Sequence, residues 1–312
     1  MEAVLNPALI LFLSGIITGI TFKLTLPNSI SKYLGYYLLL ALGLKGGLSL
    51  QENGFINDVI SALSLGILFA LLIPAIAYIY LKNILNTDDA AALSGTYGSV
   101  SAVTFVTAIA YLSTTNQDFD NYMSAVLVVM EFPAIFMALY LVTHNKINKG
   151  TNLQTIKTAF LEIPNIILIS SLFVGYFVNK TVISNIDIFI VTIFDYILYV
   201  FLFVMGTRVA KRTGELKGKG INLIVFALLT PLIGSLIALL ASINFDLSVG
   251  NSTLLMVLTA SASYIAVPAV VKDAIPDANP AIYLGLSLGV TFPFNIIFGI
   301  PLYNELAKYF IG

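Results

Sequence analysis

The chain of 312 residues is 58% hydrophobic and only 10% charged, where a soluble domain carries roughly 25% charged residues. With a mean hydropathy of +0.96 it lacks the polar surface to face water, so its solvent is lipid. Lys+Arg of 15 against Asp+Glu of 16 gives a net charge of −1 and no basic stripe for nucleic acid. The absence of cysteine excludes disulfides and thiolate chemistry, and a single histidine, His144, excludes His-clustered metal sites and a Ser-His-Asp triad.

A membrane helix needs about 20 mostly apolar residues. The N-terminus, MEAVLNP, has no basic n-region and no small-residue cleavage site follows it, so the first apolar stretch reads as a span rather than a signal peptide. Ten candidates follow, at 7–22, 29–50, 58–82, 90–112, 120–143, 161–179, 187–210, 220–243, 248–272 and 279–309. The period-2 alternation of a membrane barrel is missing, and lipid offers backbone groups no outside partner, so the fold class is an all-α membrane bundle.

Several spans carry particular residues. The second holds Lys45 before Gly46 and Gly47, a lysine expected to snorkel to the interface. Asp88 and Asp89 precede the fourth as N-terminal caps and dipole partners. The fourth collects Ser94, Gly95, Gly98, Ser99 and Ser101 at its centre. The fifth carries Glu131 just ahead of Pro133. An acid inside a span is costly and marks a functional suspect, here a cation ligand or proton carrier. Asp195, read as midway along the seventh span, is a second such acid. The ninth span is interrupted by Thr259, Ser261, Ser263 and Pro268, and the tenth contains Pro293 and Pro301. Glycine and proline cost about 1 and 3 kcal/mol in a helix interior, so spans four and nine are expected to be broken. His144 opens a hydrophilic loop, HNKINKGTNLQTIK (144–157), and is expected to be solvated.

Basic residues fall unevenly when the loops are allotted alternately to two sides. One side receives Lys23, Lys32, Lys82, Lys146, Lys149, Lys157, Arg208, Lys211, Arg212, Lys217, Lys219 and Lys272; the other receives Lys45, Lys180 and Lys308. The richer side is the cytoplasm by the positive-inside rule, which puts both termini outside.

The chain also contains itself twice. Met130-Glu131-Phe132-Pro133-Ala134-Ile135-Phe136 in span five is similar to Val290-Thr291-Phe292-Pro293-Phe294-Asn295-Ile296 in span ten, and both spans begin near a tyrosine, Tyr122 or Tyr283. One span earlier, residues 94–104 correspond to 259–268. Five spans per repeat is an odd number, so the halves, 1–143 and 161–312 around a linker at 144–160, must have opposite topology. Spans four and nine would then cross at mid-membrane. Their half-helix N-termini suit a small anion, and their freed carbonyls and hydroxyls suit sodium.

At these residues the chain resembles the sodium-dependent bicarbonate transporter family, the cyanobacterial-type bicarbonate permeases. The likeness is strongest in GTYGSVSAVT (95–104), EFP (131–133), GEL (214–216) and IPDANPAIYLG (275–285). The resemblance implies ten spans in two inverted repeats, a core domain against a gate domain, a homotrimer, and substrate held between the two broken spans. Carried over residue by residue, it puts Gly98, Ser99, Val100, Ser101, Ser261, Ala262, Ser263 and Tyr264 at the substrate, and Ser99, Ser101, Thr104, Glu131 and Ser263 at sodium. Two departures stand out. The span-nine pattern S-S-S-D-I-S-G-P-P reads Ser261-Ala262-Ser263-Tyr264-Ile265-Ala266-Val267-Pro268-Ala269, with Tyr264 in place of the acid, and the span-five aspartate is Glu131. Some members meet a small trimeric PII-type regulator through a long central insertion; the short linker here argues against that partner.

The reading is a secondary transporter, not an enzyme, with no cofactor and with Na+ as coupling ion. It takes up bicarbonate or a similar small anion from the bilayer's outer face by alternating access. The alternative is a passive channel or uniporter without sodium coupling. The orientation is testable: single cysteines at Lys149 and Glu2 are expected to label from opposite sides of the membrane, and labelling from one side would break the scheme.

Overall fold

The computed structural model describes residues 7–24, 26–145, 161–178, 193–212, 220–264 and 266–312, and among these the regular structure is helix alone. The elements are α1 (Pro7–Thr21), α2 (Asn28–Asn53), α3 (Asn57–Leu81), α4 (Thr87–Gly98), α5 (Ala102–Thr114), α6 (Met123–Asn145), α7 (Ile163–Phe177), α8 (Ile193–Arg212), α9 (Ile221–Asn244), α10 (Val249–Ala260) and α11 (Ala266–Ala274). The last, α12 (Pro280–Ile311), is helical throughout but widens into π-turns at Ser287–Thr291 and Asn295–Gly299. The widening brackets Pro293, so α12 absorbs its proline without unwinding. The linker residues 146–160 lie outside the described residues.

Six helical stretches are long and apolar enough to cross a membrane: Asn28–Asn53, Asn57–Leu81, Thr87–Thr114, Ile193–Lys211, Ile221–Asn244 and Pro280–Ile311. Shorter apolar helices occupy Pro7–Thr21, Ile163–Phe177 and Val249–Ala260. α2 runs unbroken through Lys45, whose ammonium sits 4.4 Å from the centroid of the Phe194 ring. That ring's face gives the ammonium a cation–π contact.

The helices pack in two matched sets. α2 lies along α7 and α1 along α8, while α3 packs on α4 and α6 as α9 packs on α10 and α12. Bilayer lipid gives no hydrophobic drive between helices, so close backbone approach supplies the packing. A Cβ on Gly47 would collide with the Leu172 carbonyl of α7, and one on Gly206 with the Phe12 carbonyl of α1.

The stretches read from the sequence as spans four and nine are each interrupted, between α4 and α5 and between α10 and α11. Serine is the cause in both. Ser99 and Ser261 leave the helix with extended backbone (ψ of 169° and 166°). Ser101 then caps α5 by accepting from the Thr104 N–H (3.2 Å), and Ser263 accepts from Val267 N–H at the start of α11 (3.3 Å). The two interruptions touch. Ser101 N–H donates to Ser261 Oγ (2.9 Å), and Ser263 N–H donates to the Thr96 carbonyl (2.9 Å). Each break satisfies a backbone donor freed by the other.

The far ends of the broken spans are pinned in a corresponding way. Asp89, in the first turn of α4, accepts from Asn279 N–H at the start of α12 (2.6 Å) and from the Asn86 side chain (2.8 Å). Asn251, in the first turn of α10, accepts from Asp120 N–H ahead of α6 (2.9 Å) and donates to Asp120 Oδ2 (2.7 Å) and Tyr122 Oη (2.9 Å). This corrects the expectation for Asp89: the cap of α4 is Asn86, accepting from Asp89 N–H (2.8 Å), and the Asp89 carboxylate secures a different helix. Ser261→Ala would leave the buried Ser101 N–H without its acceptor, at a cost of about 1–3 kcal/mol. Thermal unfolding in detergent is expected to show a lower midpoint for that variant than for the exposed control Ser113→Ala.

Candidate functional site

The interruption of span four carries the chemistry toward α6. Ser99 Oγ donates to Glu131 Oε2 (2.9 Å), and the Val100 backbone N–H faces the same carboxylate. Glu131 is only 7% exposed. No basic side chain among the described residues pairs with it, and the donors seen there are two neutral groups. Pro133 follows two residues later inside α6; lacking an N–H, it frees a carbonyl one turn earlier.

Glu131 opens onto an internal cavity of about 40 Å³. That is room for about three water molecules, since each needs about 10–15 Å³ by this measure. Its polar wall is Val100, Ser101, Glu131, Ser263 and Tyr264, from the two interruptions and α6. Its opposite wall comes from the α2–α7 pair: Leu39, Pro164, Asn165 and Leu168. The N-termini of α5 and α11 both start at this cavity, bringing partial positive charge to it.

The hydroxyls present donors here. Ser101 Oγ accepts twice, from Thr104 N–H and from Thr104 Oγ1 (2.9 Å), and its hydroxyl faces that of Tyr264. The Tyr264 hydroxyl is buried and has no hydrogen-bond partner among the described residues. Its ring stands edge-on to Phe292 (centroids 5.3 Å apart), which stands edge-on to Phe12 (5.4 Å), so the phenol is braced from α12 and α1. The cavity thus offers hydroxyl and backbone donors at one part and a lone carboxylate at another. These oxygens are a fitting donor set for a hard monovalent cation.

Five of the residues expected at the site line the cavity: Val100, Ser101, Glu131, Ser263 and Tyr264. Ser99, Thr104 and Ser261 stand one bond behind, holding Glu131, Ser101 Oγ and Ser101 N–H respectively. Ala262 packs away from the cavity in an apolar cluster with Tyr97 and Val267. Gly98 is also placed differently from expectation: it faces the Pro74 ring of α3, where a Cβ would clash, so its small size serves helix packing. Asp195 is exposed in α8 and takes no part in the site. The His144 side chain lies outside the described residues.

Sequence reasoning missed Asn165, which is 2% exposed and lines the cavity from α7. Its signal was available, since it is the one amide in the apolar run IPNIILI that opens that helix. Thr291 and Asn295 were noted only as repeat positions. Thr291 pairs with Tyr97 (2.5 Å) and donates to the Ala227 carbonyl (2.8 Å). Asn295 donates to the Ala260 carbonyl (2.8 Å), at the last residue of α10. Span ten therefore caps the break of span nine.

Comparison with solved structures finds the sodium proton antiporter MjNhaP1 from Methanocaldococcus jannaschii, determined at pH 8. The TM-score is 0.55 at 14% identity, covering 98% of this chain and 92% of that one. At that identity the likeness is one of fold. No curated protein matches the sequence. The model of the Na+-dependent bicarbonate transporter superfamily matches residues 7–308, nearly the whole length, and the chain belongs to that superfamily.

Proposed function

We propose that this membrane transporter takes up bicarbonate or a similarly small anion together with sodium, by alternating access. The observation that carries the reading is Glu131: a buried carboxylate, held by a hydroxyl and an amide, on the same small cavity as the hydroxyls of Ser101 and Tyr264. An uncompensated buried carboxylate costs several kcal/mol, and sodium is the compensating charge that the superfamily's name supplies. With sodium at Glu131, Ser99 and Ser101, only the smallest anions can approach the hydroxyl side of the cavity. Such an anion accepts from Ser101, Ser263, Tyr264 and the α5 N-terminus. Larger carboxylates exceed the cavity.

The wider scheme belongs to the same proposal. The matched helix sets and matched end pins support two inverted five-span repeats, 1–143 and 161–312. The α1–α8 and α2–α7 pairs then form a gate that moves against a core of the remaining helices. The side bearing Lys32 and Arg208 faces the cytoplasm. The homotrimer implied by the resemblance joins the proposal without support from the packing of one chain.

Two outcomes test the coupling. Glu131→Gln is expected to lower sodium-driven bicarbonate uptake into proteoliposomes by about tenfold or more, equivalent to at least about 1.4 kcal/mol of lost cation binding. Robust wild-type uptake that ignores the sodium gradient would replace symport with a uniporter. The second concerns the position where relatives carry an acid. A phenol offers sodium only a neutral oxygen, so Tyr264→Asp is expected to lower the sodium concentration giving half-maximal uptake. An active variant with an unchanged half-saturation would remove position 264 from the cation site.

A further inference from the structure

Beyond the inner cavity lies a second, larger one of about 450 Å³, which shares Leu39, Ala102, Val103, Pro164 and Tyr264 with it. These five residues, Tyr264 the largest of them, form the common boundary, so the large cavity is the vestibule of the small one. A vestibule of this size is in the range that encloses a small organic ligand, far more than a three-atom anion needs.

Its lining is divided by chemistry. At the mouth stand Lys32 and Arg208 and, among the described residues, one acid, Glu162. Arg208 is held there by two bonds from its Nη2, to Asn28 Oδ1 (2.8 Å) and to the Asn28 carbonyl (3.3 Å). The first turn of α2, with Asn28 and Ser31, and the start of α7, with Ile163 and Pro164, open on the same space. Neither helix has a side-chain cap at its N-terminus, so two sets of helix N–H groups add to the positive field. Deeper in, the wall is apolar: Phe201, Met205, Leu284 and Leu288. One end attracts a negative charge and the other favours a hydrocarbon or aromatic body.

We propose that the vestibule is a binding site for an organic monocarboxylate, with the carboxylate at Arg208 and Lys32 and the apolar body against Phe201, Met205, Leu284 and Leu288. Such a ligand cannot pass Tyr264 into a cavity with room for about three waters, and it blocks the path while bound. The binding stands independently of the transport reading; the blocking rests on it.

The probe is benzoate, titrated calorimetrically into the purified protein in detergent. Saturable binding is expected, with benzyl alcohol, which lacks the charge, and formate, which lacks the body, each at least about tenfold weaker, a difference of about 1.4 kcal/mol. Arg208→Gln is expected to weaken benzoate by about tenfold and Leu284→Ala by a smaller factor. Because Arg208 also ties α8 to α2, the exposed Lys32→Gln is a second variant, expected to weaken benzoate without altering thermal stability. Absence of saturable benzoate binding, or wild-type affinity in both Arg208→Gln and Lys32→Gln, overturns the site. In proteoliposomes, benzoate on the basic face is expected to inhibit bicarbonate uptake in wild type and less so in Lys32→Gln. Bound benzoate without that inhibition overturns the blocking role. Failure of bicarbonate uptake with benzoate binding intact would count against the transport reading alone.

Discussion

A helix interrupted inside a bilayer strands backbone N–H and C=O groups where no water can reach them, and each group left unpaired costs several kcal/mol. The centre of this molecule is organised by that demand. Ser101 N–H finds Ser261 Oγ, Ser263 N–H finds the Thr96 carbonyl, and the Ala260 carbonyl finds the Asn295 amide. The first two bonds run between the broken spans and the third brings in span ten. Neither interruption is stable without the other, so they form one unit. The serines that break the helices are also the residues that repair them.

The same unit is tied at both far ends, by Asp89 to Asn279 and by Asn251 to Asp120. Hydrogen bonds at the centre and at both ends leave little freedom for α4, α5, α10 and α12 to slide past one another. The wall formed by Leu39 and Leu168 is different. It meets the cavity mostly through apolar side chains, with Asn165 as its one amide, and its helices are joined to each other by glycine-mediated backbone contact. Apolar surfaces part without leaving unsatisfied groups.

What the sequence disclosed follows from the range of the forces involved. Helix positions were legible because lipid imposes a long apolar run on each span, and the interruptions were legible because serine, glycine and proline act on their own backbone. Glu131 was legible because a carboxylate in an apolar run has few other reasons to exist. The rest depended on which helix faces which. Gly98 was read as a backbone position near substrate, yet its neighbour is Pro74, 24 residues earlier. Asp89 was read as a cap on its own helix, and its carboxylate serves Asn279 across the fold. Asp195 was placed mid-span from hydropathy alone, a measure that cannot say which face of a helix points inward. Asn165 was not legible because it sits on α7, far in sequence from the broken spans whose cavity it lines.

On the proposed reading, the composition of the cavity accounts for coupling without any fixed cation. An anion about 4 Å from a bare carboxylate is opposed by about 4 kcal/mol at an effective dielectric constant of 20. By the relation of 1.4 kcal/mol per decade, that is nearly a thousandfold in affinity. Sodium bound at Glu131 removes this opposition and replaces it with attraction, so the anion binds well only after the cation. A lysine or arginine in the same place would bind the anion with no sodium present, and the gradient would have nothing to act on. The hydroxyls of Ser101 and Tyr264 and the α5 N-terminus orient an anion but carry no net charge, so they cannot override the carboxylate. The basic residues stay at the vestibule mouth, on the far side of the Tyr264 ring. There they can concentrate anions without releasing the inner cavity from its need for sodium.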